Sequence, residues 1–308
     1  MKNNTLMRRL IIYFIFAAFV PAVLTVSIIF FQTREEIKST LINDNNLILN
    51  QISEQISQKI QQVDVFSYWL CQNNDVNALL QLSEEEVHNY TPQKAKAIND
   101  IRTQLSYRPI AEDILSLFVV GNNGLDIRAG VEASLVDRDL LQDYIKRFED
   151  DYWSGVMKNI TPFSNYSSVL MYCHPINWVE NNTPLGYVIL VFSEDFLLNE
   201  LHYFTENHER YALLLNNHNQ ILSLACEEAE TIEILSNFYS KKANSEYLKL
   251  TVVNSTSHLT LHGLVSTSSM NKQVYAAARS VFLLLGITLA VALMVSYFLS
   301  VNFNRPIE

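Results

Sequence analysis

Two long uncharged segments constrain this chain more than any other feature. Leu10–Phe31 and Val281–Val301 run for 22 and 21 residues without one Asp, Glu, Lys, Arg or His. At about 1.5 Å per residue, helices of this length span about 30 Å, the thickness of a bilayer's hydrocarbon core. The sequence therefore predicts two transmembrane helices, at 10–31 and 281–302, and a protein that resides in the lipid bilayer of the cell membrane.

The first segment also has one feature of a cleaved signal peptide, because Lys2, Arg8 and Arg9 precede it. Its apolar core is longer than the usual length of about 7 to 15 residues, however, and no small-residue cleavage pattern follows it before Arg34. An uncleaved membrane anchor is therefore favoured over a signal peptide.

The basic residues beside the two segments predict an orientation. Residues 1–9 carry three basic and no acidic side chains, and Arg305 follows the second segment. Between the segments lie 18 basic and 31 acidic residues, a net charge of −13. We expect residues 1–9 and 303–308 to be cytoplasmic and residues 32–280 to be extracellular. An acidic exterior also argues against nucleic acid as a partner.

The sequence contains no pattern typical of catalysis or of metal binding. Cys71, Cys173 and Cys226 are far apart and odd in number, so at most one disulfide is possible. No three histidines or cysteines have the spacing of a zinc site, and no nucleophile or phosphate-binding motif occurs. We therefore expect no metal, no cofactor and no catalytic module, and we regard an extracellular enzyme as the least favoured reading.

A long stalk helix is predicted after the first membrane segment, from residue 33 to about residue 82. No Gly or Pro occurs between Ala22 and Thr91. Near the membrane, where little else is available to pack on, the apolar stripe of this helix predicts a homodimer seam. Farther out, packing on the helix's own domain is an equal alternative. The stripe recurs at helical steps of three, four and seven residues, at Ile37, Leu41, Ile48, Ile52, Ile56, Ile60, Val63, Phe66 and Leu70.

The remaining sequence predicts an α+β fold with antiparallel sheets. It divides into a larger distal module, about 33–205, and a smaller proximal module, about 206–280. The predicted strands are 114–120, 125–129, 155–160, 168–176 and 186–192 in the distal module, and 211–215, 220–224, 247–253 and 259–266 in the proximal one. The predicted helices are 92–107, 139–148 and 229–239.

This order of elements resembles a double Cache (PAS-like) sensor between two membrane helices. Arg8-Arg9-Leu10, the apolar helix interrupted by Pro21 and the following helix rich in Ile, Gln and Ser resemble the start of YesM-type sensor histidine kinases of Gram-positive bacteria. Gly186–Leu197 is similar to the strand and exit helix that close a distal Cache module. Asn304–Glu308 resembles the opening of a HAMP linker.

The resemblance implies an extracytoplasmic ligand sensor that signals through HAMP to a histidine kinase in a two-component phosphorelay. The kinase is absent from this chain, so a cognate response regulator would be reached only through that missing module. The alternatives are the sensor part of a chemoreceptor or of a membrane-tethered transcription regulator.

The resemblance also places a ligand pocket on the sheet of the distal module. Alternation along the predicted strand 168–176 puts Tyr172 and His174 on one face, opposite Met171 and Cys173. Flat aromatic faces with polar edges suit a sugar or an oligosaccharide, although ordinary core packing of these aromatics stays open. The candidate ligand-binding residues are Tyr107, Arg128, Trp153, Tyr172 and His174.

An amino acid ligand is disfavoured by the same resemblance. Amino-acid-binding Cache domains carry an arginine followed by tryptophan and tyrosine, and an aspartate in the closing strand. Here Asp151-Tyr152-Trp153-Ser154 has the aromatics in reverse order and no adjacent arginine, and the aspartate position falls near Val191.

Overall fold

The structure, a computed structural model, describes most of the chain between residues 3 and 303. The described residues are 3–89, 92–130, 133, 136, 138–146, 153–159, 165–177, 183–206, 209–226, 234–235, 238, 246–254, 257 and 259–303. They belong to two units, Asn46–Val265 and the pair Met1–Asn45 with Ser266–Glu308. The predicted helix 229–239 lies mostly outside the described residues, and the HAMP-like residues 304–308 lie entirely outside them.

A long first helix, α1 (Asn3–Cys71), is followed by three short ones. The prediction of one helix to residue 82 is wrong, because Asn73 caps a new helix. Its side-chain oxygen accepts hydrogen bonds of 3.0 Å from the N–H groups of both Asp75 and Val76. Apolar spacing continues across this break, so periodicity alone did not reveal it. The helices that follow are α2 (Asn74–Leu80), α3 (Glu84–His88) and α4 (Pro92–Ser106).

A five-stranded antiparallel sheet is the larger of the two sheets in the Asn46–Val265 unit. Its strand order is β2-β1-β5-β4-β3. A 3-10 turn, Pro109–Glu112, leads into the sheet, α5 (Arg138–Ile145) interrupts it, and α6 (Asp195–Thr205) leaves it. The strands are β1 (Ile114–Gly121), β2 (Asp126–Ala129), β3 (Met157–Lys158), β4 (Ser168–Asn177) and β5 (Pro184–Ser193).

A four-stranded sheet follows, in the order β7-β6-β9-β8. Strand β6 pairs antiparallel with both β7 and β9. The final helix, α7 (Ser268–Phe303), begins two residues after the last strand ends. The predicted α+β fold with antiparallel sheets is thereby confirmed. The strands are β6 (Arg210–Leu215), β7 (Ile221–Ala225), β8 (Tyr247–Val253) and β9 (Thr260–Ser266).

The outer half of α1 packs on its own chain. The stripe from Leu49 to Leu70 is buried. Leu49 lies beside Gly263 of β9, where an added Cβ would approach its Cδ1 to 2.8 Å. Lys59 forms a 3.0 Å salt bridge with Glu200 of α6. Of the two alternatives for this half of the helix, intramolecular packing is therefore observed, while the homodimer seam nearer the membrane stays a prediction.

One helical segment among the described residues is long and apolar enough to cross a membrane. It covers Met270–Val295 in α7 and has a mean hydropathy of 2.2. Large apolar side chains along it, including Phe282, Leu284 and Met294, are exposed. The other predicted span, 10–31, includes side chains that the structure does not describe, so a protein with two spans stays a prediction.

Candidate ligand site on the five-stranded sheet

The two faces of the five-stranded sheet differ in what covers them. Along β4, Tyr172 and His174 point toward α1, and we call this side the stalk face. Met171 and Cys173 point the other way, onto what we call the opposite face. The opposite face is an apolar cluster of Phe118, Val120, Ala133, Val136, Leu141, Val169, Met171, Cys173, Ile189 and Val191.

On the stalk face, Tyr172 is tied to the stalk helix. Its side chain is 1% exposed, and its hydroxyl donates a 2.9 Å hydrogen bond to Oδ1 of Asp64 in α1. Although part of Asp64 remains exposed, burial raises the pKa of its carboxyl group. The hydrogen bond from Tyr172 and the nearby His174 oppose that rise. The Tyr172 hydroxyl thus already has a partner inside the chain.

His174 lies near the end of α1. Its Nδ1 is 3.4 Å from Sγ of Cys71 and 2.8 Å from the carbonyl oxygen of Pro175. Burial raises the pKa of the Cys71 thiol to about 12, so the thiol is protonated and weakly nucleophilic at neutral pH. This pair therefore has the character of a packing contact rather than of a reactive site.

Trp153 packs beside Tyr172 and is 8% exposed. Its ring centroid lies 5.1 Å from that of Tyr172, 5.7 Å from that of Phe192 and 6.3 Å from that of Phe196. The indole fills space between β4 and α6. Three of the predicted ligand residues, Trp153, Tyr172 and His174, are thus brought together, but within the interior between the sheet and two helices.

Arg128 belongs to the opposite face. It pairs across the strands with Phe118, and its guanidinium lies 5.9 Å from the centre of that ring. Its Nε and Nη2 donate to the two carboxylate oxygens of Asp126, at 2.9 and 2.8 Å. Nη1 donates to the carbonyl oxygens of Val136 at 2.7 Å and Ala133 at 3.2 Å. Arg128 therefore joins a partly buried ion pair to the segment that precedes α5.

Tyr107 lies away from these contacts. It follows α4 and is 80% exposed. Within the described part of the chain, it makes none of the ring or hydrogen-bond contacts that join Trp153, Tyr172 and His174. The sequence offered no signal for this separation, because it depends on where α4 ends.

Two carboxylates of this region, Asp64 and Asp126, were not among the predicted ligand residues. Asp126 had a usable signal, because residues two apart on a strand share a face and Asp126 and Arg128 are so spaced. Asp64 had none, since its partner Tyr172 is 108 positions away.

A cavity of about 380 Å³ was also not predicted. It lies between α1 and the 3-10 turn, on the side of the helix that carries the glutamines. Its lining residues are Gln58, Gln61, Gln62, Val65, Arg108, Pro109 and Ile110.

The described residues contain no group of three His, Cys, Asp or Glu side chains placed to hold a metal ion.

In the four-stranded sheet, His262 Nδ1 lies 2.9 Å from the Thr251 hydroxyl. Burial, and then the charge of Lys249, lowers the pKa of His262 to about 4, so its imidazole is neutral at neutral pH.

Solved sensor domains have similar folds. The ligand-binding domain of the Pseudomonas aeruginosa amino acid chemoreceptor PctB, in complex with L-Arg, aligns with a TM-score of 0.52 at 11% identity, over 78% of this chain and 93% of that one. The ligand-binding domain of the Pseudomonas fluorescens chemoreceptor CtaA, in complex with L-isoleucine, gives 0.49 at 12% identity, over 78% and 96%. No family model and no curated protein matches the sequence.

The likeness to the PctB domain shows that the two chains share a fold. It does not show the histidine kinase output that the sequence resemblance implied.

The prediction that disfavoured an amino acid ligand is contradicted, since the PctB domain, which has a similar fold, is found in complex with L-Arg. That prediction required an arginine adjacent to the aromatic residues and an aspartate near Val191. In the structure, Val191 is buried in the apolar cluster, and the paired opposite charges lie elsewhere, at Asp126 and Arg128. The preference for a sugar rested on the flat faces of the candidate aromatics, and it is given up as well, because Trp153 and Tyr172 are buried against α6 and α1.

Proposed function

We propose that this protein is an extracytoplasmic sensor that binds a small ligand on its five-stranded sheet and passes a signal across the membrane. The observation that carries the proposal is the junction between the second sheet and α7. Only Thr267 separates the end of β9 from the start of α7, which contains the apolar segment Met270–Val295. A movement of the sheet can therefore reach the membrane helix without a flexible linker to absorb it.

The ligand class that we propose is a free amino acid, held by Arg128 and Asp126. An α-amino acid carries a carboxylate and an ammonium group, which complement a guanidinium and a carboxylate respectively. The two side chains now bind each other through two hydrogen bonds, so a zwitterion can replace each partner by its own opposite charge. Fold similarity to amino acid chemoreceptors supports this choice of class.

Ligand binding at this pair would also move the neighbouring segment. Nη1 of Arg128 holds the carbonyl groups of Ala133 and Val136. Leu141 of α5 packs in the same apolar cluster as these two residues. If Arg128 turns toward a carboxylate, these contacts change together, and the segment before α5 takes a second position. This gives the two states that a sensor needs.

The test is a thermal-shift screen of the whole chain in lipid nanodiscs, against L-amino acids, organic acids and sugars. We expect stabilisation by one or more amino acids. Arg128→Gln should weaken binding about tenfold or more, because a hydrogen bond to a charged group contributes about 1.5–3 kcal/mol. The matched control is Arg102→Gln, which changes an exposed arginine of α4.

A second variant separates the two charges of the ligand. Asp126→Asn keeps an acceptor for Arg128 but removes the partner of an ammonium group. It should weaken binding of the amino acid while leaving binding of the matching carboxylic acid, which lacks the amine, nearly unchanged. A response to sugars alone, or wild-type affinity for amino acids in Arg128→Gln, would refute the ligand class.

We propose the topology predicted above, with residues 32–280 outside the cell, a distal module of about 33–205 and a proximal module of about 206–280. The charge distribution beside the two apolar segments supports it. Protease added to intact cells should cleave within 32–280 and leave tags at both termini intact. Cleavage of either tag would contradict this topology.

Two outputs are candidates. The resemblance of residues 8–10 and 304–308 favours a HAMP linker and histidine kinase, whereas similarity to the PctB domain favours a chemoreceptor. The reading frame past Glu308 distinguishes them. A phosphotransfer helix with an acceptor histidine, followed by an ATP-binding domain, indicates a kinase, and a long heptad coiled coil indicates a chemoreceptor.

A further inference from the structure

A short segment, Trp153–Val156, bonds to both sheets. At its start, the Ser154 N–H donates to the carbonyl oxygen of Met171 in β4 at 2.9 Å, and the Met171 N–H donates to the Ser154 hydroxyl oxygen at 3.0 Å. At its end, the Val156 N–H donates to the carbonyl oxygen of Ile221 in β7 at 3.1 Å. We call these four residues the bridging segment.

The backbone of the bridging segment is shaped for this contact. Gly155 has φ of +65°, a conformation that residues with a Cβ rarely adopt. A Cβ added there would lie 3.0 Å from the Ile221 carbonyl oxygen. The Ser154 hydroxyl donates to the Gly155 carbonyl oxygen at 2.8 Å and so fixes the turn from within. Close approach to β7 thus depends on glycine at this position.

The bridging segment contacts each sheet at a residue through which a movement of that sheet can be transmitted. Met171, whose backbone holds Ser154, has its side chain in the apolar cluster of the opposite face. Strand β7, which receives Val156, is one of the two edge strands of the four-stranded sheet. Helix α6 joins the sheets covalently and cannot dissociate, and α1 packs against both of them. A hydrogen-bonded connection can form and break at a cost of about 1 kcal/mol.

We propose that the bridging segment is the switchable connection between the two sheets. A change on the opposite face shifts Met171, the shift reaches Ser154 through the two hydrogen bonds between these residues, and Val156 transmits it to the edge of β7. This inference rests on the proposed sensor function and adds the route by which its ligand signal leaves the first sheet. The route consists of named hydrogen bonds and is therefore open to direct tests of coupling.

The test uses amide hydrogen exchange of the whole chain in nanodiscs, without any ligand. Val156→Pro removes the N–H that reaches Ile221, and Val156→Ala is the matched control that keeps it. We expect peptides covering β7 to exchange about fivefold faster in the proline variant than in the alanine variant, as for loss of one hydrogen bond. Peptides covering β9, which is not at that edge, should exchange at the same rate in both.

A second variant tests whether a change at Ser154 reaches β7 on the other sheet. Ser154→Ala removes the acceptor for the Met171 N–H but leaves Val156 unchanged. This substitution should speed amide exchange in β7, on the other sheet. In a chain that already carries Val156→Pro, it should cause no further increase there. Equal exchange of β7 in the Val156 proline and alanine variants, a uniform increase over both sheets, or a Ser154→Ala effect confined to β4 would each overturn the proposal.

Because these measurements need no ligand, their outcome is separate from that of the ligand screen. A failed screen with a positive exchange result removes the amino acid and keeps the route. A successful screen with a negative exchange result keeps the amino acid and removes the route.

Discussion

The stalk face and the opposite face of one sheet illustrate two uses of polar residues. On the stalk face, the bond from Tyr172 to Asp64 ties α1 to the sheet, and the pair Lys59–Glu200 ties α1 to α6. On the opposite face, an apolar cluster ends at the Arg128–Asp126 pair on strand β2. The two ion pairs are exposed to a similar extent, but Lys59–Glu200 joins two helices, whereas Arg128–Asp126 lies within one strand. We therefore expect only the second pair to exchange its partner for a ligand without separating two helices.

The variant with the largest expected effect on this comparison is Trp153→Ala. If the stalk face is structural, truncating an indole packed against Tyr172, Phe192 and Phe196 should lower the free energy of unfolding by about 3–5 kcal/mol. Denaturant unfolding in detergent measures this change, and calorimetry measures amino acid binding in the fraction that remains folded. Lost binding with unchanged stability would instead make Trp153 a ligand residue, as the sequence predicted.

A smaller effect is expected for Tyr172→Phe, which keeps the ring and removes the hydroxyl that donates to Asp64. The free energy of unfolding should fall by about 1 kcal/mol, the net contribution of one hydrogen bond. The affinity for the ligand found in the screen should stay within twofold of the wild-type value. A loss of affinity larger than the loss of stability would move the ligand to the stalk face.

The smallest effect concerns the charge of Asp64 and is a dependence on pH. Burial raises the pKa of this carboxyl group, so the folded chain holds the proton more tightly than the unfolded chain does. Its ionisation therefore lowers stability as pH rises through the raised pKa. Asp64→Asn keeps an acceptor for Tyr172 without the charge. Its stability relative to wild type should increase from acidic to neutral pH, as measured by unfolding at a series of pH values.

Asp64→Ala is the control for that measurement. It removes both the charge and the acceptor, so it should be less stable than Asp64→Asn at every pH. A wild-type chain that gains stability relative to Asp64→Asn on going to neutral pH would show that the carboxylate is favoured by its surroundings.

Local pattern was sufficient for most of the fold. Strand β8 lies at the predicted residues 247–253, and β1 and β2 lie within one residue of the predicted strands 114–120 and 125–129. Alternating or periodic apolar residues determine such elements within a few positions of themselves. The end of α1 was missed because the Asn73 cap interrupts a helix without interrupting its apolar stripe.

The candidate site depended on contacts that local pattern does not contain. Sequence reasoning placed Tyr172 and His174 correctly on one side of β4, since strand alternation requires it. It had no means of knowing that Asp64 and Cys71, more than 100 residues earlier, would occupy that side. The prediction against an amino acid failed because it required one arrangement of arginine, aromatics and aspartate along the sequence, and similarity of fold does not depend on that arrangement.

The lone residue between β9 and α7 has a consequence for anyone who fuses this chain to another output module. In a continuous helix, the direction in which a downstream residue faces depends on how many helical residues precede it. One residue inserted into α7 turns the downstream part by about 100°, whereas seven residues return it to within about 20°. Hybrid receptors cut within α7 should accordingly be active or silent according to the angular register of the fusion point rather than its distance from the sheet.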